Sequence, residues 1–386
     1  MSALETLSES TIRNIYIFVS DALRWKSLPE SMADRGSTFK TVASGCATMK
    51  AVSSIVSGLY PPKHGVMTWR DRLVQETLFD VPELSTGFFN PAAGEHGGLN
   101  QVLNQPSENT LGDIDPPFFY LERDQGGHAP YADYTYQEMI DQLDHDPAEL
   151  RSYYTEAIEK SIERFDRRLE TLSERGLLDE TLVLFLGDHG ELLGEYGLVS
   201  HSSPPVPELV YVPTVFIHPE LPTGRQPDTI GHVDIAPTVL SALGVEFDMR
   251  QFDGVDLFAE RPGYRFNDSS HFQTVRGRRL TLYYAAGIWD GDGGHVFNQR
   301  GKVLSPLIGW QTAQGWNRAY WRANPGQIPT ALSRYSLPHI EYGSPDVSKS
   351  EAVELVSQIR AAEDDARRIE IGGEVEQRLE DLGYRT

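Results

Sequence analysis

Cysteine is almost missing from this 386-residue chain, which has Cys46 and no other. No internal disulfide can form, so a reducing compartment, the cytoplasm, is the expected location. Lysine is nearly as scarce, seven residues against 27 arginines, and the 34 cations together are outnumbered by 56 carboxylates, for a formal charge of −22. Self-repulsion on that scale argues against nucleic acid or an anionic membrane as the main partner. It suits a salt-loving host, where dense ions screen like charges, although a GC-rich genome also favours arginine over lysine. No apolar run is long enough to span a membrane. The first strand-like segment, "NIYIFV", follows acidic and polar residues instead of a basic flank, so no signal peptide is expected. Repeats and low-complexity blocks are absent too, and the length fits one large domain with a smaller appendage.

Where apolar residues do gather, they form short runs rich in β-branched and aromatic side chains, "IYIFV" at 15–19 and "TLVLFL" at 181–186. Runs without alternation are strands buried on both faces, the pattern of a parallel sheet. "LVYVPTVFI" at 209–217 is a third, and its Pro213, which donates no ladder hydrogen bond, argues for an edge or a bend. The longest helical pattern, 148–176, places Leu150, Tyr154, Ile158, Ile162, Phe165, Leu169 and Leu172 on one face and stops at Gly176. Strand and helix alternate, so the fold class is α/β. Near residue 262 the texture changes: "FQTVRGRRLTLYY" predicts an antiparallel hairpin turning at Gly277, and a charged helix begins near Lys349. Residues 1–261 are read as an α/β core and 262–386 as a smaller C-terminal subdomain of short antiparallel strands plus a terminal helix.

Two of the buried runs end on acids. "VSDALR" places Asp21 just past the first, and "FLGDHGE" places Asp188 and His189 just past the second. In an open parallel sheet the C-terminal strand ends share one rim, where ligands bind. Carboxylates converging there repel unless a cation sits between them, which makes Asp21, Asp188 and His189 candidates for a divalent-metal site. Taken singly, each also reads as a helix cap or a solvated loop residue. In "CATMKAVSSIVSG", Val52, Ile55 and Val56 lie on one face of a helix ending at Gly58, with Thr48 at its first turn. Unpaired N–H groups there stabilise an alkoxide or a bound oxyanion; the same position also suits a threonine N-cap.

These segments, "SDALR", "TMKAVSSIVSGLYPPKHG", "GDHGELLGEYG", "HVDIAPTVLSALGV" and "VEQRLEDLGY", resemble in order the sulfatase-like branch of the alkaline phosphatase superfamily. The resemblance implies an alkaline-phosphatase-like three-layer sandwich with a mainly parallel central sheet and a smaller C-terminal α+β subdomain. It also implies a nucleophile that ligates the metal, ten residues before the glycine of a T-G-x-Y-P-like turn; counting back from Gly58 gives Thr48. Sulfatases carry there a cysteine or serine of C-x-P-S-R that matures to formylglycine, and this chain departs from that motif. Cys46 restores "C-A-T-M-K" only by inserting two residues, so Thr48 is preferred. Lys50 is the candidate grip on the transferring anion.

Two readings of the remaining site follow from the family. "ERDQGGHAPY" holds Asp124 and His128 at the D-x-x-x-H spacing of two-metal relatives, with His201 as the downstream histidine of a second metal. The same stretch contains the H-x-P-Y of sulfatase-like members, in which His128 and His201 contact substrate and one ion, calcium, manganese or zinc, is bound. Only Asp124 discriminates, and "HAPY" is the closer match. The expected activity is hydrolysis of sulfate or phosphate esters of a small molecule, glycan or lipid through a metal-activated Thr48. The rivals are a phosphoryl-headgroup transferase, a two-metal phosphodiesterase and a non-catalytic binder that keeps the fold.

Overall fold

The computed structural model describes residue 4 and residues 12–362, apart from 92–97, 132–134, 136–137, 140, 142–146, 202, 261–262, 276–277 and 299–315. Both acid-terminated runs are strands, β1 (Asn14–Ser20) and β5 (Thr181–Gly187), and every residue of each is buried. They pair in parallel along their full length, Asn14 opposite Thr181 and Ser20 opposite Gly187. With β2 (Ser37–Val42), β3 (Ser85–Phe89), β4 (Phe118–Asp124), β8 (Tyr211–Ile217) and β9 (Gly224–Gly231) they form a sheet in the order β3-β4-β1-β5-β8-β2-β9. Six strands run one way and β8 runs against both neighbours. Between β5 and β8 the chain forms a separate two-stranded ladder, β6 (Leu192–Leu193) with β7 (Val199–Ser200).

Alternate residues of the central strands feed two separate cores. Tyr16, Phe18, Val183 and Phe185 pack under helix α2 (Pro147–Glu174) through Tyr154, Ile158 and Phe165. Ile15, Ile17, Val19, Leu182, Leu184 and Leu186 pack under Val52, Ile55 and Val56 of helix α1 (Thr48–Ser57) and Ile235 and Val239 of α3 (Ile235–Ala242). Helices thus cover both faces of a mainly parallel sheet, an α/β/α sandwich.

The third run is β8, and Pro213 does not lie at an edge: β8 sits between β5 and β2. Its pairing with β5 ends at Thr214, one residue short of the proline, while Pro213 faces Lys40 of β2. The missing N–H is accommodated because the β5–β8 ladder has already ended at Thr214. The hairpin is β10 (Arg265–Val275) with β11 (Arg278–Trp289), and Gly277 itself falls outside the described residues. It continues through β12 (Gly293–Asn298) and β13 (His339–Gly343) into a small antiparallel sheet. A helix over 349–362 packs on it through Ala352 and Val356. The closing residues 363–386 are outside the description. No described helix is long and apolar enough to cross a membrane.

Candidate active site

Asp21 leaves β1 and Asp188 leaves β5 at the same rim, both wholly buried. The backbone at Ala22 turns left-handed, φ +59°, directly after the acid. The Ala22 N–H then donates to Asp188 Oδ1 at 3.0 Å, and the His189 N–H donates to the same oxygen at 2.8 Å. One oxygen of Asp188 is thereby fixed, and Oδ2, like Oδ1 of Asp21, is left without a hydrogen-bond partner. Buried carboxylate oxygens without partners are costly unless a cation completes them.

His189 supplies the third donor. Its Nδ1 lies 2.9 Å from the Gly190 carbonyl, so Nδ1–H donates there and the Nε2 lone pair faces the acids. Nε2 is 3.4 Å from Asp21 Oδ1 and 3.7 Å from Asp188 Oδ2. Ligand atoms of all three residues lie within 4.8 Å of one another, the one such cluster among the described residues. Two carboxylate oxygens and an imidazole nitrogen suit a divalent ion, so the donor set fits the metal that the family implies. Gly190 is required because a Cβ there would stand 1.8 Å from the Glu208 carbonyl oxygen.

Thr48 opens α1 at the same rim. Ala47 occupies the N-cap and makes no side-chain cap, while the Thr48 hydroxyl turns outward to Asp21 Oδ2 at 3.2 Å and His189 Nε2 at 3.4 Å. The hydroxyl therefore faces both the acid cluster and the positive end of the helix. Cys46 takes no part: its thiol donates to Asn267 at 3.5 Å and burial pushes it up to about 12, which keeps it protonated.

Charges in the clasp are unevenly shared. Burial opposes ionisation of Asp21, but Arg123 first, then His128 and His189, hold it well below the ordinary carboxylate range. Asp188 is raised, by burial and then by the neighbouring Asp21 charge. Burial disfavours the imidazolium of His189, yet the two acids prevail and raise it. Of the two acids, Asp21 is the one whose charge is favoured and Asp188 the one whose charge is opposed.

The structure disposes the other expected residues differently. The His201 ring lies 4.6 Å from that of His189 and 5.0 Å from that of His128, so the two histidines flank the clasp. His201 Nδ1 faces the wholly buried Glu191 at 3.3 Å, and Glu191 also accepts from the Tyr131 hydroxyl at 3.2 Å. His128 Nδ1 is tied to the Ala129 carbonyl at 2.5 Å, and burial brings this histidine down to about 4. Asp124 turns away from His128: Arg164 of α2 donates to both its oxygens, at 2.5 and 2.8 Å, and Gly126 N–H adds a third bond. The two glycines of "DQGGH" let the loop cross the Asp21 backbone, since a Cβ on Gly126 would stand 2.3 Å from the Asp21 carbonyl oxygen. Lys50 is buried away from the hydroxyl, ion-paired with Asp268 and donating to Ser270 Oγ at 2.8 Å. Sequence reasoning passed over Arg123, which ion-pairs with Asp21, and Glu191.

Comparison with known proteins identifies the family. The Sulfatase family model matches residues 71–245. The low-salt glycan biosynthesis sulfotransferase Agl7 of Haloferax volcanii is 35% identical over 399 residues, 97% of each chain. A choline-sulfatase of Rhizobium meliloti is 31% identical over 97 residues, 25% of this chain and 19% of that protein. Among solved structures, the 2-O GAG sulfatase BT1596 covers 92% of this chain and 91% of its own with TM-score 0.57 at 11% identity. The phosphonate monoester hydrolase of Agrobacterium radiobacter covers 85% and 96% with TM-score 0.56 at 13% identity. At such identities the solved structures speak for the fold alone. The full-length relative carries the assignment further, and the chain belongs to the sulfatase family of the alkaline phosphatase superfamily.

Proposed function

We propose that this enzyme is a metal-dependent transferase that moves a sulfuryl group onto a glycan hydroxyl through a covalent ester of Thr48, in preference to hydrolysing sulfate esters. The observation that carries the reading is the Thr48 hydroxyl set against Asp21 and His189. It occurs in a chain alignable over nearly its whole length with a protein named as a glycan sulfotransferase. A hydrated formylglycine can expel sulfate by breaking its own carbon–oxygen bond. A threonine ester has no such route, so the second nucleophile must be supplied from outside and the site can select an acceptor over water.

A divalent ion, calcium, manganese or zinc, held by Asp21, Asp188, His189 and the Thr48 oxygen would supply positive charge that eases ionisation of the hydroxyl. Thr48 Oγ1 bonds to sulfur while the bond from sulfur to the donor's oxygen breaks, and the hydroxyl proton ends on the released donor. The acceptor hydroxyl then attacks the same sulfur, the bond to Oγ1 breaks, and Thr48 regains a proton from the acceptor. His128 and His201, half-buried beside His189, contact the donor and acceptor oxygens. A single ion fits better than two, because Asp124 is committed to Arg164. The lone cysteine supports a cytoplasmic location, and the acidic, lysine-poor composition together with the Haloferax relative supports a salt-adapted host.

The test supplies an aryl sulfate, and in parallel an aryl phosphate, with and without a glycan acceptor. A transferase releases about one equivalent of aryl alcohol per site without acceptor and turns over continuously with it. Sustained release of inorganic sulfate without acceptor returns the assignment to a hydrolase, and preference for the phosphate donor changes the group transferred.

A further inference from the structure

Lys50, the cation that the sequence offers for the transferring anion, is spent on Asp268 and Ser270. Something else must meet the negative oxygens in front of Thr48. Three consecutive residues end β4, and they face alternate sides of the sheet. Glu122 and Asp124 are taken by Arg168 and Arg164 of α2. Arg123 is paired in register with Val19, which packs in the core beneath α1, so its side chain lies on the nucleophile's side of the sheet, at the rim.

Arg123 is 8% exposed. One of its terminal nitrogens ion-pairs with Asp21 Oδ2, the oxygen that also accepts from Thr48. The other donates to Asn90 Oδ1 at 3.4 Å, and Nε has no partner. Asn90 follows β3 on the neighbouring strand and is 1% exposed; its main-chain N–H is bonded to Ser107, and its amide nitrogen Nδ2 has no partner either. Two unmatched donors, on buried side chains joined to each other by a hydrogen bond, cost free energy unless an acceptor meets them. The guanidinium is a planar fork of five N–H donors, the shape that matches two oxygens of a tetrahedral anion.

We propose that Arg123, steadied by Asn90, grips the non-bridging oxygens of the tetrahedral group transferred at Thr48. This deepens the proposed function and rests on Thr48 as the nucleophile. An ion pair serving only to neutralise Asp21 leaves both the unmatched Nε and the unmatched Asn90 amide unexplained.

The test measures binding of inorganic sulfate, phosphate and tungstate to the metal-loaded full chain by calorimetry, independently of turnover. Arg123→Gln is expected to weaken oxyanion binding about tenfold to hundredfold, the worth of a hydrogen bond to a charged group, while still binding one ion. Arg123→Lys restores part of it, because the point charge returns without the fork. Asn90→Asp keeps size and the contact to Arg123 but adds a negative charge, and it is expected to weaken the anions as well. Whichever of sulfate and phosphate is weakened more is the group the fork fits. Oxyanion affinity unchanged in Arg123→Gln overturns the proposal; if that variant does not fold, unchanged affinity in Asn90→Asp does so. Thr48→Ala keeps its oxyanion affinity if Arg123 is the grip, and retained turnover in Thr48→Ala refutes the nucleophile assignment instead, so the two failures are distinct.

Discussion

Replacing Asp188 by asparagine should make the ion-free protein more stable and the ion-loaded protein less stable than wild type. Two full charges within 4.8 Å repel by roughly 3.5 kcal/mol at an effective dielectric of about 20. The Arg123 guanidinium paired with Asp21 offsets part of that, so about 1–3 kcal/mol remains to be recovered. The substitution keeps the local bonding. An asparagine Oδ1 still accepts from the Ala22 and His189 N–H groups, and its neutral amide takes the place of the charged Oδ2. With an unfolding entropy of about 2.1 cal/mol/K per residue, each kcal/mol is worth roughly 1 °C in a chain of this length, so the rise in chelator is about 1–3 °C. Saturating ion at about a thousand times its dissociation constant adds about 4.1 kcal/mol to wild type and little to the variant, more than the substitution recovers. Scanning calorimetry in chelator and then in millimolar manganese, calcium or zinc should show the order of melting temperatures reverse. A variant that melts below wild type in both conditions, or that keeps the full ion-induced shift, would falsify the clasp.

Thr48→Ala should abolish both turnover and the trapped sulfuryl ester in intact-mass spectra while leaving the melting temperature within a few degrees; Thr48→Ser should keep part of the activity. His64 accepts from the Val66 N–H through Nδ1 and meets Ser54 through Nε2, and burial brings it down to about 3, so the native state holds it neutral. Its contribution is intact above the ordinary value near 6.5 and is lost as pH falls, at about 1.4 kcal/mol per unit. Denaturant titrations between pH 6.5 and 5 should give a shallower stability slope for His64→Gln, by about one proton; equal slopes would exclude the buried neutral ring. Gly190→Ala forces a methyl into the Glu208 carbonyl and should cost about 1–3 kcal/mol in melting experiments and weaken ion binding with it. An unaffected variant would show that the turn after His189 has room to move.

The sequence made the core of the site legible because the features are local. A fully apolar run ending abruptly on an acid marks a strand end, and both Asp21 and Asp188 announce themselves that way. The helix stop at Gly58, which adopts a left-handed backbone at φ +69°, is the mark from which the family resemblance counts back ten residues to Thr48. What escaped was set by partners far along the chain. β4 ends in Glu-Arg-Asp, three charges in a row that give no strand signal, and Arg168, Asp21 and Arg164 match them in turn. The Asp124 to His128 spacing is that of a ligand pair, yet an arginine 40 residues away claims the carboxylate. Lys50 looks available beside the nucleophile because Asp268 lies 218 residues downstream. β2 and β9 hid for different reasons: β9 is the edge strand, where burial is incomplete and the apolar signal fades, whereas β2 is buried at every residue but Lys40 yet carries Ser37, Thr38 and Thr41, whose hydroxyls are bonded to Pro222, Ala33 and Thr214.

The backbone of Asp268, on the first strand of the small sheet, accepts from Cys46 N–H at 3.2 Å and donates to the Ser44 carbonyl at 2.9 Å, while its carboxylate holds Lys50. The segment that carries the Thr48 hydroxyl is therefore stitched at three points to a region more than two hundred positions later in the chain. Trimming or transplanting that region between relatives, as one would to exchange substrate preference, disturbs the placing of the Thr48 hydroxyl as well. Changes in what this enzyme modifies are better sought in loops that leave residues 267–270 in place.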